Sequence, residues 1–303
     1  MSVPLRIGMH ASIAGGLANA ARTARDMRCD CFQIFSRNPR GWKTNPLTDD
    51  DVAILKSVRE EAGLWPLATH SVYLINLAAT DETLLARSRE AFREEITRGI
   101  SIGADYLVVH PGNPVGASAD FGIDTAIESI KLAAKGLKMG SLSILIENTA
   151  GQGTSIGCRF DQVAEIIAGL DGLPVGVCLD TAHTLASGYD ISSEKGLKQT
   201  IREIDRSFGF DRIKLIHCND SKVPLGSRVD RHQHIGLGYI GDEAFRRLTH
   251  NLKFRRTPLI LETPVDKERD YDWNLNRIRE LSDGKSGDQT EKPAARARGR
   301  VVA

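Results

Sequence analysis

The sequence predicts an α/β chain folded as a single-domain (β/α)₈ TIM barrel, and three observations carry that prediction. Short apolar runs rich in Val, Ile and Leu alternate with longer segments of helical period, the pattern of repeated βα units on a parallel sheet. Eight such runs can be counted, the number a closed barrel needs. No Pro/Gly/Ser linker or composition break divides the 303 residues near their middle, and the length sits just above the roughly 250 typical of one such barrel.

In chain order the strand candidates are Leu5–Met9, Cys31–Phe35, Pro66–Thr69, Tyr106–Val109, Ser143–Ile146, Pro174–Leu179, Ile213–Ile216 and Pro258–Leu261. Between them Leu85, Ser88, Phe92, Ile96 and Ile100 recur at i, i+3, i+4 spacing, as do Ile123, Ile127, Ile130 and Ala134, so each segment can lay one apolar face on a sheet. The barrel domain is expected over 1–282. From 283 to 303 the apolar period disappears among Gly, Ser, Ala and Arg, which predicts a disordered C-terminal tail of weakly basic character, read as solubilising.

Forty Lys+Arg against 39 Asp+Glu leave a net charge of +1, so any nucleic-acid site must be a local patch. The N-terminus lacks a charged start followed by an apolar run, and no stretch reaches the ~18 apolar residues of a membrane span; a cytoplasmic protein without membrane contact is expected. The five cysteines are odd in number, and Cys178 and Cys218 fall inside apolar runs, which fits buried free thiols.

In a parallel barrel, chemistry projects from the C-terminal ends of the strands. The residues standing there are His10, His70, His110, Glu147, Asp180, His217 and Glu262, seven of eight strand ends. Imidazoles and carboxylates converging on one mouth would leave charges stranded unless a cation sat among them. A divalent metal cluster answers that, and His with Asp/Glu suits zinc, manganese or iron. Asp180-Thr-Ala-His183 adds a donor one turn past a strand end. Asp230-Arg-His232 adds two on an extended loop, with His234 equally placed to bind. Nine or more donors exceed what one or two ions with open positions would take; three would use them. Gly236-Leu-Gly238-Tyr-Ile-Gly241 has the spacing of a dinucleotide-binding loop, but it follows the polar stretch SRVDRHQH rather than a strand. It reads instead as a turn after a metal-binding loop.

Taken together, HASIAGGLANAA, THSVYLINLA, VVHPGN, IENTAGQG, GVCLDTAHTLASGYD, HCNDSKVPLGSRVDRHQHIG and LILETP resemble the motifs of the endonuclease IV family, in order, from about Arg6 to about Ile278. These are zinc-dependent apurinic/apyrimidinic endonucleases of base-excision DNA repair. The resemblance implies a (β/α)₈ barrel and three zinc ions. One would be held by His70, His110 and Glu147, a second by Glu147, Asp180, His217 and Glu262, and a third by His183, Asp230 and His232, leaving His10 and His234 without an ion; manganese or iron is compatible with some positions. It further implies that Arg40, Tyr73 and Leu74 enter double-stranded DNA at the abasic site. Hydrolysis 5′ to the lesion would leave a 3′-hydroxyl, with 3′-end cleaning as a related activity. Glu147 would bridge two ions and Glu262 would position the nucleophile. A monomer is expected. The chain departs from the family pattern at Leu237, Gly41 and Ser71-Val72.

Two other readings use the same residues. A metal-dependent sugar isomerase or epimerase would explain His217, Glu147, Asp180 and Glu262 but leave Asp230, His232 and His183 idle. A catalytically silent damaged-DNA-binding protein would use metals only to shape its groove.

Overall fold

The computed structural model describes residues 4–283. Eight parallel strands close into a barrel: β1 (Ile7–His10), β2 (Cys31–Phe35), β3 (Leu67–His70), β4 (Tyr106–Val109), β5 (Ser143–Glu147), β6 (Val175–Asp180), β7 (Ile213–His217) and, last in the ring, the strand Leu259–Leu261. Two short strands precede that last one, β8 (Asp220–Ser221) and β9 (His232–Gln233), paired antiparallel as a ribbon above the mouth, so the closing strand is β10. β10 pairs with both β1 and β7, which completes the ring.

The outer layer contains α1 (Leu17–Asp26), α2 (Asp49–Glu61), α3 (Glu82–Ile102), α4 (Ala119–Ala134), α5 (Phe160–Gly169), the short α6 (Thr181–Ala186), α7 (Glu194–Ser207), α8 (Asp242–His250), α9 (Leu252–Arg255) and α10 (Tyr271–Ser282). Side chains of Thr48, Asp81, Ser118, Ser193 and Asp270 accept from first-turn amides and start α2, α3, α4, α7 and α10. Gly103, left-handed at φ 71°, ends α3. None of the described helices is long and apolar enough to cross a membrane. The expected tail from 283 lies outside the described residues apart from Asp283.

Strand side chains alternate between two cores. Phe32, Ile34, Leu107, Val109, Ile144 and Ile146 face outward into the main hydrophobic cluster beneath the helices. Cys31, Ala68, Val108, Leu145, Cys178, Leu215 and Ile260 face inward and pack as a separate buried layer inside the barrel. Two residues further along each strand, on the same face, stand Gln33, His70, His110, Glu147, Asp180, His217 and Glu262. On β1 the layer is interrupted by Gly8, whose added Cβ would overlap the Cys31 carbonyl, and His10 follows two residues later. The apolar layer is therefore a floor, and the polar layer above it is the mouth. As expected, all five cysteines are free, with only Cys158 not fully buried.

Candidate metal centre

Glu147, at the end of β5, is fully buried at the centre of this polar layer. Its two oxygens face different histidines. Oε2 lies 3.1 Å from His70 Nε2 and 3.0 Å from His110 Nε2, whereas Oε1 lies 3.0 Å from His217 Nδ1 and 3.4 Å from His183 Nδ1. Ligand atoms of His70, His110 and Glu147 lie within 4.8 Å of one another, and so do those of Glu147, Asp180, His217 and Glu262. On the third side the mutually close atoms belong to Asp180, His183 and His232. Asp230, on the loop between β8 and β9, stands outside that tight group but reaches His183 Nε2 at 3.2 Å and His232 Nε2 at 3.5 Å.

The sequence left His232 and His234 open, and the structure separates them. His232 turns toward Asp180 and Asp230, with Nε2 at 3.6 and 3.5 Å from their carboxylates. His234 turns away: its Nε2 meets Asp266 at 2.9 Å and its Nδ1 meets Asn274 Nδ2 at 3.0 Å. His10 joins no donor group; it stands 3.1 Å from Glu262 Oε1 and 4.4 Å, centroid to centroid, from Phe35.

The fit of this donor set to cations rests on how each imidazole is held. His70 Nδ1 is 2.7 Å from the Ser71 carbonyl, His183 Nδ1 is 2.9 Å from that of Asn148, and His232 Nδ1 is 3.2 Å from that of Glu262. A carbonyl only accepts, so these nitrogens carry a proton and each Nε2 is the atom left to face an ion. His183 Nε2 and His232 Nε2 are buried without an aligned hydrogen-bond partner, as metal ligands with a fixed tautomer would be. Electrostatics agree. Burial alone would push Glu147 up, but His110 and His217 hold its carboxyl well below the usual carboxylate range. Burial opposes a charge on His183, and Asp180 with Asp230 raises it well above an ordinary imidazole. The carboxylates here need positive charge beside them, which divalent ions supply. Cys178 lies close to Glu147 and His217 as well, but burial pushes its thiol up to about 12 and keeps it protonated.

Sequence reasoning missed three supporting side chains. Gln33 fills the one strand end the pattern left empty: its Nε2 donates to Glu262 Oε1 at 2.7 Å and its Oε1 lies 2.9 Å from His217 Nε2. The residue after run two, Ser36, bonds Glu95 instead. Counting alternate positions from Cys31 would have found Gln33. Asn219 ties Asp180 Oδ2 at 2.7 Å to the Glu262 amide at 2.8 Å, and Asn148 accepts from the Asp180 amide at 2.8 Å. Both lie inside the quoted motifs without any spacing that marks them.

Around the rim, Tyr73 is 67% exposed and edges against Phe35 at 5.2 Å, with Leu74 half-buried beside it. Arg40 is exposed and close enough to Tyr73 for its charge to act on the phenol. The segment carrying Arg40 is pinned to α3 by buried charges: Arg37 Nε meets Glu95 Oε1 at 2.8 Å, and Arg98 bonds Ser36 Oγ and the Asn45 carbonyl. A polar cavity of about 280 Å³ opens between His110, His183 and Asp230, lined also by Asn113, Gln152 and Arg231.

A closed barrel with a His/Asp/Glu mouth defines a xylose isomerase-like TIM barrel, and the model of that family matches residues 21–281. The chain belongs to the endonuclease IV family within it. It is 43% identical over 284 residues to "Probable endonuclease 4" of Solibacter usitatus, covering 93% of this chain and 98% of that relative. The crystal structure of endonuclease IV from Thermus thermophilus is 34% identical, with a TM-score of 0.81 over 92% of this chain and 99% of that one. A D-tagatose 3-epimerase-like protein shares the fold alone, at 16% identity and a TM-score of 0.68 over 92% of this chain and 96% of that one.

Proposed function

We propose that this protein is an apurinic/apyrimidinic endonuclease of DNA repair, hydrolysing the phosphodiester 5′ to an abasic site and leaving a 3′-hydroxyl, with 3′-end cleaning as the same chemistry at a terminus. The observation that carries the reading is the donor set around Glu147, together with the relatives at 43% and 34% identity, both endonucleases by name. His70, His110 and Glu147 would hold one zinc, Glu147, Asp180, His217 and Glu262 a second, and His183, Asp230 and His232 a third. Bound there, the ions would supply Lewis acidity at phosphorus and at water near neutral pH.

The chain's own residues do the remaining work. Glu147, with its oxygens turned to opposite sets of histidines, would be the residue to hold two ions at once. Glu262 has Oε1 held by Gln33 and its Oε2 facing the cluster 3.2 Å from His217, so Oε2 is the atom to orient the attacking water and take its proton. Tyr73 and Leu74, with Arg40 beside them, would wedge into the duplex and hold the baseless nucleotide out of the stack, where lost stacking makes deformation cheaper. The cavity beside His110 and Asp230 would receive the sugar–phosphate. The isomerase reading would leave Asp230 and His232 without a task, although both reach the shared His183 side of the cluster.

The test is strand nicking of a duplex with a single abasic site, using the wild type beside Glu262→Gln. Incision 5′ to the lesion by the wild type, reduced on the order of 10²–10⁴-fold in the variant, is the expected result. No incision by protein carrying three ions would overturn the reading.

A further inference from the structure

The glycine-rich turn after the metal-binding loop encloses an anion that belongs to the chain itself. Asp220 is fully buried, and both of its oxygens point into the turn. Oδ1 accepts from the amides of Ser221 at 2.7 Å and Ile240 at 2.9 Å; Oδ2 accepts from Gly236 and Gly238 at 2.9 Å each and from Gly241 at 3.3 Å. The glycines are needed for this. Gly236 and Gly241 are left-handed at φ 84° and 77°, and a Cβ on Gly238 would overlap Asp220 Oδ1 and the Ser221 carbonyl. The G-x-G-x-x-G spacing thus builds the kind of amide nest that elsewhere cradles phosphate, occupied here by a carboxylate. Burial pushes that carboxyl up to about 6, against the pull of the amides.

Asp220 also opens β8, whose next residue, Ser221, is in register with His232 on β9. Tyr239 N donates to the Ser221 carbonyl and Lys222 N to that of Arg231, so ribbon and turn are one unit. The loop between them carries Asp230; its two ends leave from this unit, while its middle is tied to α6 through the Gly226 and Arg228 amides and to Gln152 through the Asp230 amide. We propose that Asp220 is a positioning residue that holds Asp230 and His232 in place for the ion on the His183 side. The other two donor groups are built on barrel strands, with His110 and Glu262 each just past the end of its strand. Loss of the anchor should therefore weaken one ion of three, an inference that rests on the three-ion reading above.

The experiment counts bound zinc per chain by mass spectrometry and measures each affinity by competition with a chromophoric chelator, for the wild type, Asp220→Asn and Gly238→Ala. Three ions on the wild type are expected, with one of them bound roughly 10–100-fold less tightly in each folded variant and the other two unchanged. Fewer than three on the wild type would defeat the three-ion reading itself. Three ions at wild-type affinity in either folded variant would overturn the positioning role, and so would equal weakening of all three, which marks a general loss of stability. A second measurement needs no variant. Linkage requires that the ion stabilise the nest as the nest stabilises the ion. Stripping all the zinc from the wild type with excess chelator should speed hydrogen exchange at the Gly236, Gly238, Ile240 and Gly241 amides; unchanged exchange there would equally overturn the proposal.

Discussion

Gln33 and Glu262, 229 positions apart in sequence, are joined by a 2.7 Å hydrogen bond across the barrel mouth, and the same carboxamide presents its oxygen to His217 Nε2. A carboxamide oxygen only accepts, so His217 carries a proton on Nε2 and leaves Nδ1 to face Glu147 and Glu262. Gln33→Ala should release both, lowering affinity for the ion at His217 roughly 10–100-fold, read by chelator competition. Unchanged affinity would show that the imidazole keeps its orientation without the carboxamide.

Glu147→Gln distinguishes an enzyme from a silent binder. The amide keeps the volume but loses the charge between two sets of histidines. Nicking of abasic DNA should fall on the order of 10²-fold or more, with duplex affinity largely kept. A gel-shift and a nicking assay on one preparation would decide it: a silent binder would show no nicking in either protein and would keep its duplex affinity in the variant.

Tyr73→Ala removes the most exposed aromatic ring of the rim. By analogy with base–aromatic stacking, affinity for an abasic duplex should weaken by roughly 1–3 kcal/mol, with little change for undamaged DNA. Fluorescence anisotropy on the two duplexes measures the difference, and equal affinities for wild type and variant would remove the ring from lesion recognition.

Glu95→Ala would strand Arg37, whose side chain is 1% exposed, without its buried partner. Removing one member of a buried pair typically costs about 3–5 kcal/mol, because the other charge stays desolvated. Urea denaturation should show a loss of that order. A loss below about 1 kcal/mol would mean that Glu94, 3.0 Å from Arg37, takes over the charge.

Asp266 supplies a pH signature away from the mouth. Its hydrogen bond from His234, with the amides of Glu268 and Arg269, holds its carboxyl down to about 2. The folded value lies below the ordinary one, so the stability this group contributes is complete above about pH 4 and is lost as pH falls toward 2. Carboxyl ¹³C NMR should place its midpoint near the lower value in the wild type and nearer the ordinary one in His234→Ala. A midpoint unmoved by the substitution would assign the shift to the two amides.

The barrel was legible because each strand is a short apolar run and the period changes between runs, and seven mouth residues were legible because they are ionisable and stand where those runs stop. Gln33 was not, because it is uncharged and lies within its run, so only the strand's alternation marks it. The choice between His232 and His234 was closed to periodicity for the opposite reason: both share one parity, and what turns them apart is a partner 32 residues on, Asp266. Asn148 and Asn219 act on carboxylates brought near them only by the closed ring.

The seven inward side chains from Cys31 to Ile260 form a buried floor under the mouth, so among the described residues the centre opens toward the strand ends. Ions, chelators and a bound duplex would all have to use that opening. That sets an order of loading: the ions must enter before the duplex settles. A duplex in place would act as a stopper, so scavengers that strip free protein should leave the occupied complex untouched until it lets go of its strand.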